Sequence, residues 1–564
     1  MIPRPFRLSM FCLLALAAPM VAAEGLTHPF CATYPGSDLA PVLNGREALA
    51  RGGVRAARSN TRAASVSRNG NVAMLVDQGD LILKANRLDL QGKGLEFQPG
   101  YAVSRVDRPL GADGDAVSLG DDDSREVPLP FAFPFFGRSY DKVFVNSDGN
   151  LTFGAADNAS TPRTLSRLVS GPPRAAPLLA DLDPGAGGRV TTTSRADAFS
   201  VKWTEVPQFD VPDKNTFEVT LFPDGRVAFS YDATQLSTTM EEAAVGIAAG
   251  GGPEGLLTTD LSTVAALSFS GAAAESFRSE TRLDLTAVAR AFYSGFGDDY
   301  QQLIVYTNKG YIPRTQSAFA FETTVRNSVS GMGTGTFDNG AEFGSRGALE
   351  SMVLMDNSSK YSADPAARIL REETTMSVLA HEVGHRWLAT ARFNDGGVSS
   401  TELLGRQQAH WSFYMNSSGS HDEGNDIEDV GGGQFRTGPA SSRYGPLDQY
   451  LMGVRSSDEV PPFFLIRNPV ADGVQSAERA PESNVAIAGT RKDISVSDVI
   501  AAMGPRSPAP STNPPAWRVA FLYVTDGDAN DATALSLVES IRSQFEAYFP
   551  LSTEGRLSIE TRLK

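Results

Sequence analysis

The sequence is poor in the residues that usually staple or charge an extracellular protein. It holds two cysteines, Cys12 and Cys31, and five histidines in 564 residues. Cys12 falls in a stretch expected to be removed, so no internal disulfide is expected and stability must come from packing or bound ions. No uncharged apolar run reaches the length of about 20 residues that a membrane-spanning helix requires. Positive charge is also short: 50 Lys and Arg stand against 66 Asp and Glu, a net charge of −16. Without a basic stripe to displace counterions, the charge balance disfavours nucleic acid and none is expected as a partner. What remains is a globular composition, 41% hydrophobic and 21% charged. The length exceeds one ordinary core, which predicts two or three domains.

The first 23 residues read as an export signal. Arg4 and Arg7 precede an apolar stretch from Met10 to Val21, and Val21-Ala22-Ala23 offers a small-residue cleavage site before Glu24. The expected location is therefore extracellular or periplasmic. Residues 24–98 form a leader or propeptide-like segment. Within it, Arg46 to Arg68 looks loosely structured. Val72 to Val76 and Asp80 to Leu83 read as two strands across a Gln78-Gly79 turn. Such a pair would cap the next domain or belong to a propeptide.

Residues 99–270 read as an all-β sandwich. Val143-Phe144-Val145, Leu151-Thr152-Phe153, Phe199 to Trp203, Phe217 to Phe222 and Val227 to Tyr231 are short β-rich runs. They are separated by turn signals such as Ser147-Asp148-Gly149-Asn150 and Pro223-Asp224-Gly225. Four segments resemble the extracellular nidogen-like domain. They are Phe133-Pro134-Phe135-Phe136-Gly137, Val145 to Phe153, Ala176 to Asp183, and the stretch from Asn215 to Phe229. The resemblance implies an adhesive or accessory module that binds extracellular matrix or cell-surface proteins. Asp181 and Asp183 are candidate calcium ligands, although carboxylates at a turn more often cap it.

Residues 280–564 change character, to an α+β order of strands and helices. Leu283 to Phe296 has helical spacing, and Leu303 to Tyr306 and Met352 to Met355 read as strands. A helix is expected from about 372 to 390. The tail adds a strand at Val519 to Val524 and an amphipathic helix from Ala532 to Phe549.

The central helix carries His381-Glu382-Val383-Gly384-His385. Residues four apart stack on one helix face, so both imidazoles can reach one ion. Glu382, turned about 100° from His381, can then take a proton from metal-bound water. Zinc suits imidazole ligands and lowers the pKa of water toward neutrality. Such a five-residue pattern also arises by chance. Two features favour a metal: four of the five histidines lie between 381 and 421, and Gly384 is costly in a helix unless something packs against it.

A catalytic zinc needs a third protein ligand. His410 is the first candidate, followed by His421, Glu423 and Glu402. Ala391 stands where the short metzincin spacing would need a third histidine. The longer interval ending in His410-Trp411 resembles the leishmanolysin type of metzincin, which would place His410 on zinc. Tyr444 to Gly453 is similar to the metzincin methionine turn, which would make Met452 a hydrophobic floor beneath the histidines. Tyr450 and Tyr444 are candidates for a phenol that stabilises the oxyanion. The block from His381 to Gly453 also resembles a group of bacterial proteins read as peptidases. They share its His-Glu-x-Gly-His-Arg-Trp, His-Trp-Ser-Phe and Leu-Asp-x-Tyr-Leu-Met-Gly segments.

Calcium is a second candidate ion, at the acidic run Asp422, Glu423, Asp426, Glu428 and Asp429, though most such runs are solvated loops. The stretch from Asp526 to Asp531 departs from an EF-hand at positions six and twelve and is set aside. Cys31 is a candidate latency thiolate, with a free thiol as the plainer alternative. The expectation is a secreted zinc-dependent endopeptidase acting on protein or peptide substrates, in which Glu382 activates a zinc-bound water. The alternatives are a surface adhesion protein with a structural or inactive zinc site, and a zinc hydrolase of non-peptide amides.

Overall fold

The computed structural model describes residues 64–564, apart from 160–162, 314–317, 371–372, 440–442, 472–475, 512 and 529–530. The expected export signal, Cys31 and the leader as far as residue 63 lie outside the described residues. Among the described residues, no helix is long and apolar enough to cross a membrane.

The β-rich region forms two packed antiparallel layers. One sheet runs, from edge to edge, Leu256–Thr258, Ala272–Phe277, Ala243–Ala248, Arg174–Leu179, Asn150–Thr152, Arg138–Asn146, Ser124–Phe135; only its outermost pair is parallel. The other runs Leu267–Ser268, Ala102–Val106, Gly94–Gln98, Val227–Tyr231, Asn215–Leu221, Ala198–Val206, Arg189–Arg195, Asp115–Val117. Inward residues of both layers, among them Phe97, Phe133, Trp203, Phe217 and Phe229, share one core. The sandwich starts slightly before residue 99 and ends slightly after 270, because Gly94–Gln98 and Ala272–Phe277 are integral strands.

The Asn146 to Asn150 turn explains its own sequence. Asn146 Nδ2 donates to Asn150 Oδ1 at 3.0 Å, and buried Asp148 accepts from Arg163 Nε at 3.0 Å. Gly149 has φ +66°, and a Cβ there would lie 2.2 Å from the Leu178 carbonyl oxygen. Only glycine fits that approach. The candidate calcium ligands nearby have other partners. Asp181 pairs with Arg163 at 2.7 Å, and Asp183 Oδ1 accepts from the Gly185 amide at 2.7 Å as a turn cap.

The remaining chain is built on a mixed sheet. Its order is Ser65–Asn69, Val72–Val76, Trp517–Thr525, Gln302–Thr307, Ser351–Asn357, Phe321–Thr324. The four middle strands are parallel and the two outer ones antiparallel to their neighbours. Alternation along the strands feeds two cores. Leu303 and Val305 pack with Val288 and Phe292 of helix Leu285–Gly295. Ile304 and Tyr306 pack with Leu379 of helix Thr375–Gly384 and Phe545 of helix Asp531–Ser552. A second sheet, of five strands, joins Met415–Asn416, Phe463–Ala471, Ala486–Ile494, Gln434–Thr437 and Ile427–Gly431. The region expected to be α+β is thus a mixed sheet with helices on both faces, plus an antiparallel sheet.

The leader strands correct the expected pairing. Val72–Val76 turns back through Gly70-Asn71 onto Ser65–Asn69, a segment expected to be loose. It then pairs in parallel with the tail strand, Val72 opposite Phe521 and Val76 opposite Thr525. The hairpin therefore completes the C-terminal domain and does not cap the sandwich. Ile82–Leu83 pairs with Arg282–Leu283, so the chain enters and leaves the sandwich side by side. The sandwich is an insertion in the domain that holds the histidines.

Candidate metal centre

Helix Thr375–Gly384 opens with a reciprocal cap. Thr374 Oγ1 accepts from the Ser377 amide at 3.3 Å, and Ser377 Oγ accepts from the Thr374 amide at 2.8 Å. All ten helical residues are buried. The helix is shorter than expected, ending at Gly384 with His385 as its C-cap. Beyond it, Arg386 turns into the domain and its Nε donates to Glu350 Oε2 at 2.9 Å. That bond ties the helix end to the start of strand Ser351–Asn357.

Gly384 has the close neighbour its cost implied. A Cβ built on it would lie 2.8 Å from Cε1 of Tyr444. The Tyr444 hydroxyl donates to the Ala380 carbonyl at 2.5 Å. Tyr444 is thus a floor fixed to the helix backbone. Its phenol serves packing here rather than the oxyanion role considered for it.

His381, His385, His410 and Asp422 bring ligand atoms within 4.8 Å of one another, and all four are buried. Their ring bonds fix the tautomers, because a carbonyl can only accept. His381 Nδ1 donates to the His421 carbonyl at 2.7 Å and His410 Nδ1 to the Arg406 carbonyl at 2.9 Å. A longer contact of 3.4 Å joins His385 Nδ1 to the Leu388 carbonyl. Each Nε2 therefore carries its lone pair into the shared interior, where that of His410 also meets Arg406 Nη2 at 3.0 Å. The Nε2 atoms of His381 and His385 stand 3.0 Å apart. The His410 ring centroid lies 5.2 and 4.9 Å from theirs.

Two facing lone pairs repel unless a cation lies between them, so the donor set fits a divalent metal. In a tetrahedral site with metal–nitrogen bonds of about 2.1 Å, ligand nitrogens stand about 3.4 Å apart. The electrostatics agree. Burial lowers the pKa of all three imidazoles, His385 and His410 well below the ordinary value. Neutral imidazole is the form that binds metal.

Asp422 is fully buried, and neither carboxylate oxygen accepts a hydrogen bond. Its Oδ1 lies 3.1 Å from His385 Nδ1 and 3.8 Å from His381 Nδ1. Burial first, and then the charge of Asp448, push its pKa well up. A buried carboxyl of this kind is costly unless a cation holds its charge. Glu382 is fully buried one residue past His381, and its charge contributes to the upward shift of Asp422.

The motifs that lie far apart in sequence meet here. Trp411 Nε1 donates to Asp448 Oδ1 at 2.8 Å, and the Gly445 amide donates to Asp448 Oδ2 at 2.7 Å. Burial raises Asp448 to about 6. The Trp411 amide donates to the Asp422 carbonyl at 3.1 Å. The His-Trp and Leu-Asp-x-Tyr segments are thus one hydrogen-bonded unit around His410.

The other candidates lie elsewhere. The His421 ring packs against Tyr444 and Tyr548, and its carbonyl accepts from His381 Nδ1. Glu402 pairs with Arg467, and Glu423 pairs with Arg406 at 2.7 Å. Tyr450 is buried and its hydroxyl accepts from the Arg506 amide at 3.1 Å. Met452 is buried in the same core as Leu379 and Val383, and its carbonyl accepts from Arg506 Nη2 at 3.4 Å. The acidic run expected for calcium is split up. Asp422 faces the histidines, Glu423 binds Arg406, Asp429 binds Arg491 at 2.9 Å, and Asp426 and Glu428 are exposed.

Asp422 and Arg406 were not picked out for this centre from sequence. Arg406 Nη2 lies 3.0 Å from His410 Nε2 while holding Glu423. The sequence signal for Asp422 is its place in the acidic run beside His421, and for Arg406 its position four residues before His410.

Comparison with known proteins bears on the sandwich. The family model described as NIDO related matches residues 104–283, so this part of the chain is a nidogen-related domain. No curated protein and no solved structure matches the chain.

Proposed function

We propose that the chain is a secreted zinc-dependent endopeptidase of metzincin type, with a nidogen-related module inserted in its catalytic domain. The observation that carries this is the common orientation of His381, His385 and His410, each with Nδ1 directed to a backbone carbonyl and Nε2 in the acceptor form that a metal ion requires. A structural site has no use for a buried glutamate beside its ligands, whereas a hydrolytic one needs a base there.

Bound zinc would polarise a carbonyl and lower the pKa of water. Glu382 takes the proton of the attacking water and returns it to the leaving amine. With the ion bound, Asp422 would carry negative charge beside His385 and His381, and the Trp411–Asp448 bond keeps His410 in place. The nidogen-related module would present the catalytic domain to matrix or cell-surface proteins. The Met452 turn and the long interval to His410 support the metzincin assignment through sequence resemblance.

Casein zymography of the purified protein tests the reading. A cleared band that disappears with a chelator and returns with zinc supports it. A protein that binds zinc and clears no substrate would leave the adhesion alternative in its place.

A further inference from the structure

Arg406 joins its ion pair with Glu423 to the histidine cluster. Glu423 accepts from the Arg406 guanidinium, through Nε at 3.3 Å and Nη2 at 2.7 Å. Yet Nη2 also reaches 3.0 Å from His410 Nε2, the nitrogen kept for the ion. Both side chains are largely buried. The backbone that puts them there is unusual. Gln407 and Gln408 have φ of 56° and 51°, and Glu423 has φ 60°. Non-glycine residues in that region are held by their surroundings and cluster at functional sites. Gly405 allows the loop its path, since a Cβ there would lie 2.6 Å from the carbonyl oxygens of Ala477 and Trp411.

A fixed positive charge beside a cation site opposes the cation, so a purely structural arginine belongs elsewhere. It belongs here if negative charge develops at the same point during reaction. A guanidinium presents planar paired donors suited to an oxyanion. We propose that Arg406, braced by Glu423, is the oxyanion-binding residue of this centre, meeting the carbonyl oxygen of the substrate as it gains charge. The proposal rests on the zinc hydrolase reading above. No bond to Arg406 forms or breaks. It yields the His410 nitrogen and donates hydrogen bonds to the oxygen.

The test uses the full chain loaded with one equivalent of zinc and needs no turnover. Inorganic phosphate, a tetrahedral oxyanion, is titrated calorimetrically into wild type, Arg406→Met and Arg406→Lys. Zinc affinity is measured in parallel by competition with a chelating dye. The proposal expects phosphate to bind wild type, at least tenfold more weakly to Arg406→Met, and with intermediate affinity to Arg406→Lys. Zinc should bind Arg406→Met as tightly as wild type or more tightly. Equal phosphate affinity in all three proteins overturns the proposal, as does a zinc-loaded wild type that binds no phosphate. Loss of zinc from both variants overturns it as well, by making Arg406 structural. Should wild type bind no zinc, the hydrolase reading falls and takes this with it. Phosphate binding without any peptide cleavage would leave Arg406 standing and remove only the peptidase assignment.

Discussion

The β-carbon that Gly384 lacks would lie 2.8 Å from Cε1 of Tyr444, and the Tyr444 hydroxyl bonds the Ala380 carbonyl of the same helix. The ring can neither tilt away nor slide without breaking that bond. Gly384→Ala is expected to destabilise the protein by about 1–3 kcal/mol through overpacking, despite the better helix propensity of alanine. Thermal unfolding measures this. Combining it with Tyr444→Ala, which opens the space, should give a cost clearly below the sum of the two single changes.

Asp422→Asn separates metal affinity from stability. The buried carboxyl has its pKa pushed up and accepts no hydrogen bond, so the metal-free protein gains nothing from its charge. The variant should unfold at the same temperature as wild type or higher when metal-free. Its zinc affinity should fall by about 10–100-fold, as when outer partners of metal ligands are lost. Chelator competition and calorimetry read the two effects separately.

Metal retention should survive mild acid. An imidazole whose folded pKa lies below its ordinary 6.5 carries fewer protons for zinc to displace. The stability these rings contribute has the same sign. It is present above pH 6.5 and is lost as the pH falls through their depressed folded values. Zinc release followed by dye should therefore have its midpoint below the ordinary imidazole value of 6.5.

The leader hairpin is part of the domain. Leu75 is fully buried between the edge of the sheet and helix Leu285–Gly295. Leu75→Ala is expected to cost about 2–5 kcal/mol. Denaturant unfolding of the C-terminal domain, followed through its tryptophans, checks the value.

Local patterns were legible in the sequence, while pairings across long separations were not. The helix around His381 and the strands at Leu303 and Val519 follow from periodicity. The nidogen-related domain was legible as a resemblance carried by four segments, Val145 to Phe153 among them, while turn signals showed only that the region is β-rich. His410 was found because histidine is scarce and the helix motif demands a third ligand. The partner of Val72–Val76 was not legible, since its parallel neighbour lies about 450 residues away and five apolar residues fit many edges. Asp422 and Arg406 were missed as members of the centre for a related reason. Their roles come from loops brought together by the Trp411–Asp448 bond and by backbone conformations that no pattern in the chain encodes.

The most direct test of the account is Glu382→Gln, with zinc stoichiometry by native mass spectrometry and peptide hydrolysis measured on the same preparation. One zinc is expected in both proteins, with hydrolysis reduced by about 10²–10⁴-fold in the variant. Hydrolysis equal to wild type with zinc fully bound would contradict it.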